Sequence, residues 1–246
     1  MTTHQAPHQA PGHEDGTANT QTAQGAYGGL PFPDSHVAVA ARDFVRSTGH
    51  PALFHHCMRT YLYARLIGER DGLLPDRDYD DELLFLGSVL HDVGLTADGD
   101  REQRFEVDGA DLAAAFLVGQ GQPAERVEVV WDAIALHTSE GIASRKRPEI
   151  ALVSAGTRLD IAGSAADLPP GYADRVHAVL PRLHAAAVLG DAIVEQARAR
   201  PAKAPLFTLP GELFRQRTGG TWPTWEQATA GWRDHDGYEE GASAAS

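Results

Sequence analysis

Two adjacent residues able to bind a metal ion, His91 and Asp92, follow an almost unbroken apolar run, residues 83–90. A run that is apolar on every side predicts a helix buried in the core. An ionised carboxylate at such a position costs several kcal/mol unless it is paired or bound to a metal. The doublet therefore predicts a buried metal site.

Three more polar residues, His56, His137 and Asp160, interrupt apolar helical patterns elsewhere in the chain. Together, His56, His91, Asp92 and Asp160 would offer two neutral imidazoles and two carboxylates. This ligand set suits zinc, iron(II) or manganese and leaves at least one coordination position for water. The ligands come from separate helices or helix ends, as expected of sites built inside helical bundles.

Each of these three residues also has an ordinary structural explanation. His56, which follows His55, could be a buried and hydrogen-bonded core histidine. His137 could end its helix favourably, because cations suit helix C-termini. Asp160 could pair with an arginine, although Arg158 lies two residues away and faces elsewhere on a helix.

The elements that must position these residues are predicted to be helices. No stretch alternates β-branched residues between tight two-residue turns, so strands are not expected. Caps and apolar periodicity predict an all-α bundle of irregular geometry. The predicted helices cover residues 35–47, 53–67 and onward toward 72, 80–93, 109–118 with Asp108 as cap, 123–137, 147–161, 172–180 and 182–200, with short pieces near Glu212 and Trp225.

Residues 1–33 are predicted to form a disordered N-terminal tail. They are rich in Thr, Gln, Ala, Gly, His and Pro and hold few large apolar side chains, so burial cannot offset the entropy of ordering. His4, His8 and His13 could form a metal-binding tract, but an unstructured tail is favoured. Residues 34–240 are predicted to form one helical domain, followed by a short frayed end.

Composition and charge narrow the function classes. A formal net charge of −13 argues against a nucleic-acid partner and against binding to anionic membranes. Cys57 is the only cysteine, which excludes a disulfide framework and a thiolate zinc cluster. With no apparent signal peptide and no apolar run of about eighteen residues, we expect a cytoplasmic protein that acts on a small molecule. Apolar helical faces often pair, so a homo-oligomer is an alternative to a monomer.

Several ordered motifs resemble one known family. The order His56, His91-Asp92, Asp160 resembles the H…HD…D signature of the HD metal-dependent superfamily, and so predicts an HD-domain helical bundle. The surrounding sequence is similar to the cyanamide hydratase-like branch of that superfamily, over roughly residues 35–163. The motifs that carry this similarity are HCMRTY at 56–61, HDVGLT at 91–96, RFEVDGA at 104–110, AIALHT at 133–138, Pro148-Glu149, Gly156 and DIAG at 160–163.

The resemblance implies a mononuclear zinc ion held by His56, His91, Asp92 and Asp160. It also implies a lyase that adds water to the carbon–nitrogen triple bond of cyanamide to give urea, or of a related small nitrile to give its amide. A divalent metal can lower the pKa of its bound water from about 15.7 to about 7. His137 could donate a proton to the nitrogen, and either Asp92 or Asp160 could accept the proton of the water.

Other residues near these motifs each allow more than one role. The motif register favours His56 over His55 as the ligand, since His56 has the expected spacing to the residues that follow it. Glu106 could support the site or cap a helix. Thr96 and Thr138 could contact substrate, although hydroxyls that face solvent are commoner.

Three further functions compete with nitrile hydration. A phosphohydrolase requires cations around the transferring group, and residues 93–97 after the doublet contain none, although Arg59 and Arg65 could reach the site. A di-iron oxygenase would need two more histidines before Asp160, and the sequence has one, His137. A ligand-responsive module with a structural metal is disfavoured, because this ligand set keeps coordination open, as catalytic sites do.

Overall fold

The computed structural model describes residue 1 and residues 29–231, and within this part of the chain every regular element is a helix. The predicted all-α fold is therefore confirmed. The ten α-helices are α1 (His36–Thr48), α2 (Pro51–Arg70), α3 (Asp81–Leu90), α4 (Phe105–Gly119), α5 (Ala124–Leu136), α6 (Pro148–Ala162), α7 (Tyr172–Val179), α8 (Ala185–Ala199), α9 (Leu209–Thr218) and α10 (Trp225–Thr229).

No helix among the described residues is both long enough and apolar enough to cross a membrane.

The helix ends follow the capping signals of the sequence at several positions. Ser35 accepts a hydrogen bond from the backbone N–H of Ala38 at 3.2 Å and starts α1. Asp80 does the same for the N–H of Leu83 at 2.9 Å and starts α3. Each side-chain oxygen satisfies a backbone donor that has no partner inside its helix.

Three predicted boundaries are wrong, and one of them is the start of the helix expected over residues 182–200, which begins at Ala185. The helix expected over residues 80–93 ends at Leu90, and a short 3-10 turn, Val93–Leu95, follows the doublet. The helix expected from residue 109 already begins at Phe105, so Asp108 lies inside α4 instead of capping it. Asp108 accepts hydrogen bonds from the N–H groups of the preceding loop at residues 101 and 103. This carboxylate therefore orders the loop, which explains its misleading cap-like position.

Helix α2 lies at the centre of the bundle and packs along α6 and against α3. Its crossing with α6 is unusually close at Gly156, where a Cβ atom would lie 2.4 Å from the carbonyl oxygen of Thr60 and 2.9 Å from the nitrogen of Ala64. Only glycine permits such contact between two backbones. His56 lies one turn before Thr60, and Asp160 one turn after Gly156, so this crossing brings the two side chains together.

The loop after the doublet is packed equally tightly. A Cβ atom at Gly94 would lie 1.9 Å from the carbonyl oxygen of Phe105 and 2.9 Å from the nitrogen of Gly109. The missing side chain of Gly94 lets the 3-10 turn rest on the first turns of α4. The carbonyl of Gly94 also accepts a hydrogen bond from Gln196 of α8 at 2.9 Å.

The N-terminal boundary of the helical domain falls near the start of the described residues. The predicted tail at 1–33 lies mostly within residues 2–28, and the predicted frayed end within 232–246, both outside the described residues. At their edge, the ring of Phe32 lies 5.8 Å from that of Tyr61 and 6.2 Å from that of Phe85. The division into a tail and one domain stays a prediction, although Phe32, which falls within the predicted tail, packs against the helical domain.

Candidate metal centre

The five residues singled out from the sequence are all buried in one region of the bundle. His56 is on α2 and Asp160 on α6, whereas His91 and His137 are the C-terminal caps of α3 and α5. Asp92 follows His91 directly. None of the five is more than 5% exposed.

Three of the five residues form a compact cluster. The Nε2 atoms of His56 and His91 lie 3.1 Å apart. The Oδ2 atom of Asp92 lies 3.4 Å from the first and 3.3 Å from the second. Among the described residues, His56, His91 and Asp92 are a group whose ligand atoms could hold one metal ion.

The protonation of the histidines follows from their outer hydrogen bonds. Nδ1 of His91 lies 2.7 Å from the carbonyl oxygen of Ser88, and Nδ1 of His137 lies 2.6 Å from that of Ile134. A carbonyl oxygen can only accept, so both Nδ1 atoms carry the proton. When the imidazoles are neutral, both Nε2 atoms therefore present a bare lone pair.

The third histidine is held in the same tautomer by a carboxylate. Nδ1 of His56 lies 2.6 Å from Oδ2 of Asp160. Burial by itself raises the pKa of the Asp160 carboxyl, but hydrogen bonds from Arg59 and His56 outweigh it and hold that pKa well below its ordinary value. Asp160 is thus an anion that accepts a hydrogen bond from the Nδ1–H of His56. The Nε2 atom of His56 is therefore left without a proton.

As long as both imidazoles are neutral, the cluster therefore has no hydrogen-bond donor at its centre. Two bare imidazole nitrogens and a carboxylate oxygen, all acceptors, face one another at contact distance, which is unfavourable unless a cation lies between them. Ligand atoms about 2.0–2.1 Å from a tetrahedral zinc ion lie about 3.3 Å apart, close to the separations within this cluster. Both the donor set and its spacing therefore fit a divalent metal.

The electrostatics of the doublet point the same way. Burial by itself raises the pKa of the Asp92 carboxyl, but His91, His56 and His137 together hold it far below its ordinary value. Burial opposes a charge on His91, but the neighbouring Asp92 outweighs this and raises the pKa of His91 well above the usual range. A buried anion surrounded by imidazoles attracts either a proton or a metal cation.

Asp160 is placed differently from the other predicted ligands. Both of its oxygens bind Arg59, Oδ1 to Nε at 2.7 Å and Oδ2 to Nη2 at 2.8 Å. Arg182 adds a hydrogen bond from Nη1 to Oδ1 at 3.2 Å and another from Nη2 to the backbone oxygen at 2.7 Å. Asp160 therefore lies behind His56 and outside the cluster of three.

His137 lies beside the cluster, with Nε2 at 3.7 Å from Oδ1 of Asp92. Its ring centroid is 4.8 Å from that of His91 and 5.6 Å from that of Phe105. Burial and the neighbouring His91 lower the pKa of His137 to about 4, against the opposing effect of Asp92. His137 is thus neutral near pH 7, with a bare nitrogen directed at the centre.

Several other candidate residues have structural partners. Nδ1 of His55 lies 3.1 Å from the carbonyl oxygen of Pro181, away from the cluster. Thr96 donates to the carbonyl of Val93 at 2.7 Å. Arg65, which could have reached the site, lies 3.3 Å from Asp81 instead.

Glu106 supports the segment that carries His137. It accepts hydrogen bonds from Thr138 Oγ1 at 2.6 Å and from Arg104 Nη2 at 2.6 Å. The buried carboxylate thereby ties the residue after His137 to the start of α4. Of the two roles considered for Glu106, the contacts correspond to support of the site.

The sequence analysis missed Arg182 as a member of this region. No local pattern marks it, because it lies in a short connection between α7 and α8 and far along the chain from the residues it binds. The chain reversal after α7 is what brings its guanidinium to Asp160.

A cavity of about 350 Å³ opens in front of the centre, with His56, Asp92 and His137 among its lining residues. A larger groove of about 790 Å³, lined partly by Arg65 and Arg175, contains none of the five site residues. We assign the smaller cavity to the site, since it alone of the two reaches the ligand cluster.

Comparison with known proteins identifies one family. Residues 53–166 match the family model described as HD domain. No curated protein matches the chain closely enough to count as a relative. HD domains bind divalent metals and are commonly found in metal-dependent hydrolases. The candidate metal cluster of His56, His91 and Asp92 lies inside the matched segment, and the match supports a place for residues 53–166 in the HD superfamily.

Proposed function

We propose that the chain is a metal-dependent enzyme that adds water to the carbon–nitrogen triple bond of cyanamide, or of a related small nitrile, to give urea or the amide. The observation that carries the proposal is the convergence of bare imidazole nitrogens and a carboxylate on a cavity whose cations are already paired. The sequence resemblance to the cyanamide hydratase-like branch supports the same chemistry.

In this proposal, one divalent ion would be held by His56 Nε2, His91 Nε2 and Asp92 Oδ2, with zinc as the first choice and iron(II) or manganese as alternatives. Asp160 orients the His56 ring by accepting a hydrogen bond from its Nδ1–H, as carboxylates commonly do behind a metal-bound histidine. Direct ligation by Asp160, the arrangement expected from the sequence, is the alternative. It would require Asp160 to give up hydrogen bonds to Arg59 and His56.

A divalent ion held by these residues would lower the pKa of a bound water toward neutrality and would so supply the nucleophile. His137 Nε2 is bare and lies beside Asp92, so it can accept the proton that the water loses. The oxygen bonds to the nitrile carbon, one carbon–nitrogen bond opens, and His137 returns the proton to the nitrogen. The resulting imidic acid tautomerises to the amide, which for cyanamide is urea.

The phosphohydrolase alternative is less well supported by the charges near the centre. Phosphoryl transfer requires cations on the oxygens of the transferring group. Arg59 and Arg182 reach the region, but Asp160 accepts hydrogen bonds from both, and Arg59 Nη1 donates to the carbonyls of Leu180 and Pro181. An uncharged substrate does not need these arginines to balance its charge.

The proposal is tested by assaying the purified protein, loaded in turn with zinc, iron(II) and manganese, on cyanamide, simple nitriles, phosphomonoesters and nucleotides. We expect release of urea from cyanamide, or of amide from a nitrile, and no release of phosphate. Turnover of phosphate esters without turnover of any nitrile would overturn the assignment. A metal-to-protein ratio near two would instead favour an oxygenase.

Two variants separate the metal-binding role from the proton-transfer role. Asp92→Ala should lose metal and activity together, because it removes the only anion of the cluster. His137→Ala should keep its metal and lose turnover by about 10²–10⁴-fold, the usual contribution of a general acid or base. Metal content by elemental analysis and activity are measured on the same samples. Activity retained by Asp92→Ala would show that the centre is wrongly assigned.

A further inference from the structure

The cavity in front of the centre is much larger than cyanamide. Its volume is about 350 Å³, whereas one water molecule takes about 30 Å³ in the liquid. Cyanamide has only a carbon and two nitrogens besides hydrogen, so it would fill a small part of this space. A cavity fitted to cyanamide alone would not need these dimensions.

The walls of the cavity are mainly apolar, beginning next to the reacting groups. The ring of Phe105 contacts His137, and Leu95 comes from the turn that follows the doublet. Farther out, α8 contributes Leu189 and Ile193, which are 7% and 6% exposed, and α9 contributes Leu213. The outer wall therefore comes from helices beyond the HD domain at residues 53–166.

The cations at the mouth of the cavity are neutralised. Arg158 donates to Glu140 at 2.6 Å, and Arg217 donates to Asp191 at 2.8 Å. Because each guanidinium already has a carboxylate partner, an anionic substrate gains less from it than from an unpaired cation. An apolar group can pass between these ion pairs and bury its surface against α8 and α9.

We infer that the substrate is an organic nitrile whose apolar group, attached to the reacting carbon, occupies the space between Phe105, α8 and α9. This inference rests on the proposed nitrile hydration and narrows its substrate class. Cyanamide, with an amino group at that position, is then a poor substrate because it leaves the apolar walls uncovered.

The first test is a binding measurement on metal-free protein, which does not depend on turnover. Acetamide, propionamide, butyramide and valeramide, the products of a nitrile series, are titrated by calorimetry. Each added methylene should lower Kd about fourfold while the cavity accommodates the chain, since burying one methylene is worth about 0.8 kcal/mol. The metal-loaded enzyme should show the same order in kcat/KM for the corresponding nitriles, with cyanamide below valeronitrile.

A variant then locates the binding site. Gly190 lines the cavity inside α8, and a Cβ atom there would approach nothing closer than Arg217 Nη2 at 3.6 Å. Gly190→Leu should fold, because leucine suits a helix better than glycine, and its side chain should occupy the cavity. We expect it to weaken valeramide binding by about tenfold or more, as overpacking of a filled space does. Ala187→Leu, on an exposed position of the same helix, is the matched control and should stay within about twofold.

The outcomes separate the inference from the function on which it rests. If the four amides bind with the same Kd and cyanamide is hydrated faster than every apolar nitrile, the inference is wrong and the proposed function stands. Absence of hydration for cyanamide and all nitriles would overturn both. Both are supported if Kd falls about fourfold per methylene, if Gly190→Leu abolishes this trend, and if the longer nitriles are hydrated faster. The amide and nitrile series measured on the unaltered protein test the inference even if Gly190→Leu does not fold.

Discussion

At the scale of single residues, one local device orients two of the three histidines. His91 and His137 both end a helix in the right-handed helical conformation, with φ and ψ of −62° and −28° in the first and −60° and −27° in the second. Each turns Nδ1 back to the carbonyl three residues earlier, at Ser88 or Ile134. The helix end itself thus selects the tautomer that offers Nε2 to the centre.

His56 requires a different device because it lies within a helix, where the backbone carbonyls are already used. Asp160 accepts the hydrogen bond of His56 Nδ1 in place of a carbonyl. Arg59 helps to keep Asp160 ionised, and Arg59 and Arg182 both hold it in position by hydrogen bonds. Charged residues thus orient His56, whereas helix-end carbonyls orient His91 and His137. This asymmetry makes Asp160 the most informative residue to alter.

Asp160→Asn tests whether this residue orients His56 or binds the metal. If Asp160 acts through His56, metal affinity should fall by about 10–100-fold, the usual effect of removing such a partner, with the coordination sphere unchanged. The visible absorption spectrum of the cobalt(II)-substituted protein reports that sphere. A changed spectrum with affinity lost as completely as in Asp92→Ala would instead make Asp160 a ligand. Asp191→Asn, which alters an exposed aspartate paired with Arg217, serves as the control.

At the scale of secondary-structure elements, the crossing of α2 and α6 sets the distance between His56 and Asp160. Neither residue is at the crossing point. Both are displaced from it by one turn, so a change at Gly156 is transmitted to them through the rigid helices. The crossing thus couples the packing of two helices to the geometry of the centre.

Gly156→Ala should consequently impair both stability and metal binding. The added methyl group would clash with the backbone of Thr60 and Ala64, which cannot move aside as a side chain does. We expect a loss of about 1–3 kcal/mol in the free energy of unfolding, together with weaker metal binding. Gly119→Ala is the control, because a Cβ atom at Gly119 would meet nothing within 4 Å. Urea unfolding and metal titration of both variants provide the measurement, and equal effects would contradict the role given to the crossing.

At the scale of the whole molecule, the helices beyond the HD domain complete the site. They supply the outer wall of the cavity and also hold the loop between the doublet and α4. Lys203, only 2% exposed, places its ammonium against Asp108 and donates to the carbonyl of Arg101 at 2.9 Å. The HD domain by itself would leave this carboxylate without its cation.

Lys203→Met should therefore destabilise the protein although it lies far along the chain from the centre. Removing one partner of a buried ion pair typically costs about 3–5 kcal/mol, because the other charge is left uncompensated. Adding Asp108→Asn should recover a large part of this loss, since the neutral side chain no longer needs a cation. Urea unfolding of the single and double variants measures the coupling. Additive losses in the double variant would show that the two residues stabilise the protein independently.

Much of the fold and part of the centre can be predicted from local patterns. Apolar periodicity, Ser35 and Asp80 as caps, and the apolar run before His91 predict the helices and the burial of the doublet. The errors come from polar residues with two local interpretations. Asp108 resembles a helix cap but binds a loop and Lys203, and the spacing along the chain does not distinguish these contacts.

By itself, the sequence determined that the described chain is helical and that an imidazole and a carboxylate are buried together, because periodicity and the cost of burying charge are local properties. Only the tertiary structure decided which atoms face one another. Asp160 binds Nδ1 of His56, and Arg182 binds Asp160. Helices α8 and α9 cover the cavity. All these contacts join residues far apart in the chain. Such contacts depend on where helices cross, and a crossing is set by the packing of both helices at once.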